Sequence, residues 1–385
     1  MLGPFSVDMY LPAFPAIGSE LGASPIALQQ TLSAYLFAFA FMMLWHGALS
    51  DALGRRPVVL GSLATFALAT LGCAIAGNIE SLWLFRALQG MSAGAGLVVG
   101  RAIIRDRFDG AEAQRLMSQI TLVFGLAPAI APVLGGLLLT AYGWRALFWT
   151  LLGLTLALLA WAAKALPETL PREARNTLHP RVLWRNYRSV LLRIDFLLLA
   201  LVPALNFGAL FLYIASAPVF LIDLLDVSSL GFAWLFIPMI LGIMAGASLS
   251  GRLAGRTSPK RTIRLGFAIM FAGVAVNLAT CWLVEPGVPW NVLPLMIFTL
   301  GSSLAAPSIT LLMLDLFPSI RGMASSLQGF VQFALSGVVA GTVAPFLSHS
   351  VRALALGMTA FTVVGLALWL VYQRRAQTHL KGWHP

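Results

Sequence analysis

Two ionisable side chains, Asp8 and Arg86, lie inside long apolar stretches of the sequence. Placing a charge there costs about 3 kcal/mol or more, so each is a candidate for function. A carboxylate that gains and loses a proton can couple a proton gradient to the movement of another molecule, and a nearby arginine can tune it. We therefore predict that Asp8 and Arg86 are proton-coupling residues. A pair between them would lower the cost of burying either one.

Each of these two residues also has a plainer interpretation. Only seven residues precede Asp8, so it could be an acid at a helix end near the membrane interface. Arg86 could extend its charge to the outer interface, with Trp83 as an aromatic anchor. The sequence leaves both alternatives open.

Polar side chains within the apolar stretches are the candidates for contact with a transported solute. The predicted substrate-cavity residues are Asp8, Tyr10, Tyr35, Gln89, Asn206, Tyr213 and Gln332. The histidines are scattered, and the sequence contains neither metal-ligand spacing nor paired carboxylates. We therefore predict no catalytic residues, no metal and no enzymatic activity.

The elements that must position these residues are membrane helices. Hydrophobic residues make up 59% of the 385 positions and charged residues 10%. The apolar blocks are about 20 residues long, enough to cross a hydrocarbon core of about 30 Å as helix. They are continuous rather than alternating, which excludes a barrel. The predicted spans are 1–17, 27–49, 58–76, 82–104, 113–139, 146–166, 196–221, 230–249, 265–284, 292–312, 323–347 and 351–371.

The predicted fold is all-α, with about twelve transmembrane helices in two six-helix bundles. The first bundle covers 1–166 and the second 194–372, with a basic linker at 167–193 and a tail at 373–385. A weak internal repeat supports two halves, because similar segments follow the second and the eighth spans. Parallel six-helix repeats are one known architecture of secondary transporters.

The net charge of +11 is distributed in a way that indicates orientation. The polar gaps alternate between arginine-rich and acidic or neutral ones, as the positive-inside rule describes. This places the basic gaps and both termini of a multi-pass membrane protein in the cytoplasm. A nucleic-acid partner is not expected, because it would require one contiguous basic patch.

Two segments contain residues that suit a conformational switch. The gap after the second span contains Gly47, Asp51, Gly54, Arg55 and Arg56, which is consistent with either a functional switch or an ordinary tight cytoplasmic turn. The fifth span contains helix-interrupting residues that indicate either a hinge or a static kink. These are Pro128, Pro132, Gly135 and Gly136.

These segments resemble motifs of the major facilitator superfamily. The Gly47–Arg56 gap is similar to its loop signature, with Ala52 in place of the usual basic residue. The stretch from Arg86 to Gly90 resembles the fourth-helix motif, whose arginine is linked to proton coupling. The stretch 127–136 resembles the fifth-helix antiporter motif, with Ala131 in place of the usual glycine before Pro132.

Two further stretches, 8–15 and 213–218, resemble the Bcr/CflA branch of drug:proton antiporters. The resemblance implies a functional monomer in the lipid bilayer of the bacterial inner membrane. It would export small amphipathic antibiotics in exchange for protons, without a cofactor. It assigns the conformational switch to the residues of the loop signature and the fifth-helix motif. One alternative stays open: a proton-coupled uptake symporter for a small metabolite on the same fold. A membrane-embedded enzyme is not expected, because the sequence has neither a histidine cluster nor paired carboxylates.

The start of the chain leads to a separate expectation. The first span offers only about seventeen apolar residues, fewer than the roughly 20 that a spanning helix needs. No basic residue precedes it, unlike the other inward gaps. We therefore expect the natural protein to begin upstream, with about 8–15 further residues including a Lys or Arg.

Overall fold

A computed structural model describes residues 2–107, 116, 130–175, 180–253, 256–317 and 321–381. The described residues form helices joined by short turns, and none of them lies in a strand. Among the described residues, ten helices are long and apolar enough to cross a membrane. Many of their large apolar side chains are exposed, among them Leu68 and Trp161. Such exposure suits contact with lipid rather than water, and the predicted fold class is confirmed.

The helices of the first part of the chain follow one another closely. They are α1 Leu2–Asp8, a 3₁₀ turn Leu11–Ala13, α2 Phe14–Leu21, α3 Pro25–Leu53, α4 Arg55–Ala74, α5 Ile79–Ala93, α6 Ala95–Arg107, α7 Ile130–Tyr142 and α8 Arg145–Ala165.

The second part has a similar sequence of helices. They are α9 Pro180–Leu191, α10 Ile194–Ala215, a π-helical turn Val219–Leu224, a 3₁₀ turn Ser229–Phe232, α11 Ala233–Leu253, α12 Pro259–Leu283, α13 Leu293–Asp315, α14 Arg321–Val338, a π-helical turn Val339–Val343, α15 Ala344–Leu347 and α16 Val351–Lys381. The linker predicted at 167–193 therefore contains a helix, and the last helix continues into the predicted tail.

The chain divides into two compact units. The first consists of 1–179 with the short segments 227–233 and 340–345, and the second consists of the rest. The bundle boundaries predicted from the sequence stay a prediction.

The first predicted span is not one continuous helix. Helix α1 ends at Asp8, and the chain resumes as a 3₁₀ turn before α2. Pro12 has no N–H to donate to the Asp8 carbonyl, and Pro15 has none for the Leu11 carbonyl. The amide of Ala13 instead donates to the Tyr10 carbonyl at 3.1 Å. The two prolines therefore place a break directly after the buried acid.

The other helix ends follow ordinary local rules. Ser24 accepts a hydrogen bond from the Ala27 amide at 3.2 Å and so caps α3. Asn78 caps α5 in the same way, with its Oδ1 2.8 Å from the Ser81 nitrogen. Gly54 ends α3 with φ of 103°, a conformation that glycine adopts without strain. These caps set where the membrane helices begin and end.

The fourth predicted span is also interrupted, between α5 and α6 at Gly94. Four glycines lie along this span, and only one of them permits a backbone-to-backbone approach. A Cβ atom on Gly90 would lie 2.1 Å from the Tyr35 carbonyl oxygen of α3. Positions 96 and 100 have no other atom within 4 Å of such a Cβ. Gly90 is therefore the residue that lets α5 lie directly against α3.

We expect Gly90→Ala to destabilise the first unit by about 1–3 kcal/mol, the usual cost of overpacking a filled core. The added methyl group meets backbone, which cannot move aside as a side chain can. Thermal unfolding of the purified protein in detergent measures the effect. Gly96→Ala, in the same span, is the matched control and should unfold like the wild type. Equal stability of the two variants would contradict the close α3–α5 approach.

Candidate functional site

The centre of the candidate site is Arg86 on α5, which is 0% exposed. Its Nη1 donates to the Ser6 carbonyl at 3.0 Å and to the side-chain oxygen of Gln89. Its guanidinium carbon lies 4.6 Å from the Tyr10 ring centre and 4.5 Å from the Tyr35 ring centre. The alternative of an arginine extending to the membrane interface is therefore wrong for this structure.

The two tyrosines are held in place by their own hydroxyl groups. The Tyr10 hydroxyl shares a hydrogen bond of 2.7 Å with Thr31. The Tyr35 hydroxyl accepts a hydrogen bond of 3.0 Å from Ser6. Each cation–π contact to a buried arginine stabilises it by about 1–2 kcal/mol. The rings thus provide much of the stabilisation that a carboxylate would otherwise give to this charge.

Gln89 extends the cluster toward α4. Its Nε2 donates to Thr70 at 2.8 Å, while the Thr70 hydroxyl donates to the Phe66 carbonyl at 2.6 Å. We call this group of contacting side chains the Arg86 cluster. Its members are Arg86, Gln89, Thr70, Ser6, Tyr10, Thr31 and Tyr35. Three residues predicted to line the substrate cavity, Tyr10, Tyr35 and Gln89, therefore meet at Arg86.

Asp8 lies at the break of the first span and is 5% exposed. No ion pair joins it to Arg86 within the part of the chain that the structure describes. The pair that would lower the cost of burying both charges is therefore absent in this conformation. Tyr10, Tyr35 and the Ser6 carbonyl contact the guanidinium instead. Asp8 is nevertheless buried, as the sequence analysis predicted for a coupling acid.

The fifth-helix motif contacts the break in the first span. A Cβ atom on Gly135 would lie 2.5 Å from the Met9 carbonyl oxygen and 3.0 Å from the Met9 Cα. Glycine at this position therefore lets α7 touch the backbone directly after Asp8. Pro132 and Gly136 are also buried on this helix, whereas Pro128 lies outside the described residues. The structure brings one predicted switch residue next to the predicted proton site.

The loop-signature residues form a second cluster around Arg55, which is buried at the start of α4. Its Nη1 forms an ion pair with Asp51, one helical turn earlier, and donates a hydrogen bond of 2.7 Å to the Ser50 hydroxyl. Its Nε lies 2.9 Å from Asp106 on α6. Neighbouring Arg56 donates instead to the Ala163 carbonyl at 2.7 Å. A Cβ atom added to Gly47, four residues before Asp51, would have only the Val98 side chain within 4 Å.

Glu168, which the sequence analysis assigned to the linker, completes this Arg55 cluster. Its Oε1 accepts hydrogen bonds from the backbone amides of Arg55 at 2.9 Å and of Thr169 and Leu170 at 3.0 Å. A Cβ atom on Gly54 would lie 2.4 Å from Oε2 of Glu168. The carboxylate thus caps the N-terminus of α4, where the helix dipole favours negative charge. The one feature of the sequence that could have indicated this capping role is an acidic residue directly after Pro167, at the end of the sixth span.

The environment of Glu168 makes this cap sensitive to acid. Partial burial alone would raise the pKa of Glu168, but the amides of Leu170, Arg55 and Arg56 and the charge of Arg175 outweigh it. They hold the pKa below its ordinary value. A carboxyl with a lowered pKa stabilises the folded state at neutral pH, and this stabilisation is lost as the pH falls through that lowered pKa.

We expect Glu168→Gln to expose the first turn of α4. The backbone amides near Arg55 should exchange hydrogen roughly threefold to thirtyfold faster, the effect of losing a helix cap. Hydrogen exchange with mass spectrometry on the full protein measures this. Glu173→Gln, an exposed neighbour in the same linker, is the matched control. The wild type should lose the protection, relative to control peptides, as the pH falls through the lowered pKa of Glu168. Unchanged exchange in Glu168→Gln would show that the cap is unimportant.

The predicted cavity residues of the second unit form a different arrangement. The Tyr213 hydroxyl accepts a hydrogen bond of 2.7 Å from Asn277, a residue that the sequence analysis did not select. Asn206 is buried, and its Oδ1 has no partner among the described residues. Gln332 is half-buried, and its carbonyl accepts from Ser336 at 3.0 Å. Asn277 had no motif that could have marked it.

Long apolar helices define a polytopic membrane protein. The buried charge and polar clusters between them are candidates for function. The sequence matches the Major Facilitator Superfamily over residues 1–341, and the chain belongs to this family of transporters.

Known proteins similar to this chain agree with the family assignment. A bicyclomycin resistance protein homolog of Haemophilus influenzae is 29% identical, with 98% of this chain and 95% of that protein covered. A chloramphenicol resistance protein of Pseudomonas aeruginosa is 30% identical over 89% and 80% of the two chains. The crystal structure of a bacterial homolog of the human lysosomal transporter Spinster has a TM-score of 0.73. It is 16% identical and covers 100% of this chain and 96% of that one, which shows the shared fold.

Proposed function

We propose that this protein exports small amphipathic drugs across the bacterial inner membrane in exchange for protons. The observation that carries the proposal is the placement of Asp8. It is a buried acid at a break in the first span, beside a cluster that holds a buried arginine. The relatives named as bicyclomycin and chloramphenicol resistance proteins support drugs as the substrate class.

In the proposed mechanism, Asp8 takes up a proton on one side of the membrane and releases it on the other. A carboxyl group can alternate between a neutral and a charged form, so it can distinguish the loaded from the unloaded state. Arg86 lies in the same unit with its charge held by tyrosine rings, and it acts on the charge balance of Asp8. The proton gradient supplies the energy, and no cofactor is required.

The proposed orientation has both termini and the basic loops in the cytoplasm. It is supported by the excess of Lys and Arg in alternate gaps of the sequence. The Arg55 cluster would then lie at the cytoplasmic end of α3 and α4.

Export and uptake are distinguished by direct transport measurements. In inverted membrane vesicles energised to acidify their interior, an exporter should accumulate ethidium or chloramphenicol, and collapsing the proton gradient should abolish this accumulation. Expression should also lower the susceptibility of a drug-sensitive bacterial host to the same compounds. Accumulation by right-side-out vesicles instead would favour the uptake symporter.

The Arg55 cluster leads to a prediction about turnover. Asp51→Asn removes a charge that bonds Arg55, and we expect slower alternation between access states with little change in substrate affinity. Transport should fall by about tenfold, as expected for the loss of one charge-assisted hydrogen bond. Transport rate and equilibrium binding, measured on the same preparation, separate the two effects. Large loss of affinity with intact turnover would contradict the role in switching.

A further inference from the structure

A cleft of about 520 Å³ opens at the end of the second unit that lies away from the linker. It is formed where the π-helical turn and α12 end and where α16 begins. Its lining includes Leu224, Trp282, Glu285, His349 and Arg352. None of the residues assigned to transport lines this cleft. Its volume is within the usual range of sites for small ligands.

The surroundings of the cleft place it at the depth of lipid headgroups. Membrane helices end near the water interface, because lipid offers no partners to the free backbone groups of a helix end. Leu283, which lines the cleft, and Phe346, three residues before His349, are 83% and 81% exposed. Such side chains suit contact with acyl chains, and tryptophans such as Trp282 are enriched at the membrane–water interface. A ligand in the cleft therefore meets both water and hydrocarbon.

Two opposite charges line the cleft without neutralising each other. Arg352 and Glu285 are both exposed, and neither forms an ion pair among the described residues. The Arg352 Nε donates to the Cys281 carbonyl at 3.2 Å, and the guanidinium carbon lies 5.6 Å from the Trp282 ring centre. These contacts orient the guanidinium. Its two Nη atoms have no protein acceptor in the described part of the chain, so both are available to a ligand.

A second arginine at a helix start shows the difference. Arg145, the first residue of α8, also packs on a tryptophan, with its guanidinium carbon 4.2 Å from the Trp144 ring centre. Its Nη1 forms an ion pair with Glu20, and its Nη2 donates to the Ala76 carbonyl at 3.0 Å. The protein itself thus provides the acceptors that the Nη atoms of Arg352 lack.

We propose that this cleft binds the headgroup of a zwitterionic phospholipid, phosphatidylethanolamine. The phosphate accepts two charge-assisted hydrogen bonds from the Arg352 Nη atoms. The dipole at the N-terminus of α16, which begins at Val351, also favours negative charge there. The ammonium group donates to Glu285, and the acyl chains lie along the exposed apolar side chains. A headgroup with only one sign of charge would match only one of the two side chains.

The test is lipid retention by the full chain, measured by native mass spectrometry with phospholipids that share the same acyl chains. The wild type should retain one phosphatidylethanolamine about tenfold more strongly than phosphatidylcholine, whose quaternary ammonium has no N–H to donate to Glu285. Arg352→Gln removes the phosphate partner and should lower the retention of both lipids by about tenfold. Glu285→Gln should remove most of the preference for the ethanolamine headgroup.

The matched control is Arg145→Gln, because Arg145 already has its acceptors within the protein. This variant should retain lipid like the wild type. Phosphatidylethanolamine should also raise the unfolding temperature of the wild type and of Arg145→Gln more than that of Arg352→Gln, since a ligand stabilises the folded state that binds it.

Equal retention of the ethanolamine and choline lipids by the wild type would overturn the site, as would wild-type retention in Arg352→Gln. Stronger retention of phosphatidylglycerol would replace the zwitterion by an anion and also contradict the proposal. Displacement of the lipid by an equal concentration of glycerophosphoethanolamine, which has no acyl chains, would identify a soluble ligand instead. No transport is measured, so failure of the proposed drug export leaves these results unchanged.

Discussion

Replacing Asp8 by asparagine is expected to abolish proton-driven export while the protein still inserts and folds. Asparagine has nearly the same shape but cannot gain or lose a proton, so the proposed coupling loses its carrier. Export driven by a pH gradient should fall by about a hundredfold or more, the usual contribution of a positioned proton-transfer group. Drug accumulation in energised inverted vesicles, normalised to protein content, measures the loss.

The matched control for this substitution is Asp223→Asn, at an exposed acid near the end of the π-helical turn. It should export like the wild type. Downhill movement of drug, without a proton gradient, should persist in Asp8→Asn, because the fold and the access change stay intact. Wild-type proton-driven export by Asp8→Asn would remove Asp8 from the mechanism.

Replacing Arg86 by alanine is expected to separate drug movement from proton movement. The substitution removes the charge and leaves Gln89 and the Ser6 carbonyl without their donor. Export should lose most of its dependence on the proton gradient. Folding stability should also fall by about 1–3 kcal/mol, as when a buried acceptor loses its hydrogen-bond donor. Arg86→Lys keeps the charge but not the planar fork, so it should recover part of the stability and little of the coupling.

Three measurements check this second prediction: thermal unfolding, drug binding, and drug export with and without a proton gradient. Arg252→Ala removes an exposed arginine at the end of α11 and serves as the control for loss of one positive charge. Full coupling in Arg86→Ala would show that Arg86 only stabilises the packing of α1, α3 and α5.

The sequence alone determined the class of protein. Lipid provides no hydrogen-bond partners, so a segment that crosses it must be long, apolar and helical, and this requirement is visible in local composition. Within the described residues, ten of the twelve predicted spans correspond to long helices, and most of the predicted span 113–139 lies outside those residues. The family was also recognisable from the sequence, because its motifs are short contiguous strings such as the one from Gly47 to Arg56. The apolar residues around Asp8 and Arg86 marked both as candidates, and the structure showed that both are buried.

Tertiary structure decided which polar groups meet. Two opposite charges in apolar spans favoured an Asp8–Arg86 pair, but helix packing placed tyrosine rings and a backbone carbonyl around the guanidinium instead. Glu168 looked like part of a polar linker until the fold placed it on the amides of α4, more than a hundred positions earlier in the chain.

The glycines of the fourth span also show what the local sequence could not determine. All four belong to the same type of small-residue pattern, yet only Gly90 lies against the backbone of α3. The pattern specifies that helices can approach closely, but not which turn of which neighbour they touch. That choice depends on crossing angles and on side chains far away in the sequence. Local patterns thus determined that this protein lies in the membrane, and long-range packing determined how its buried charges are held.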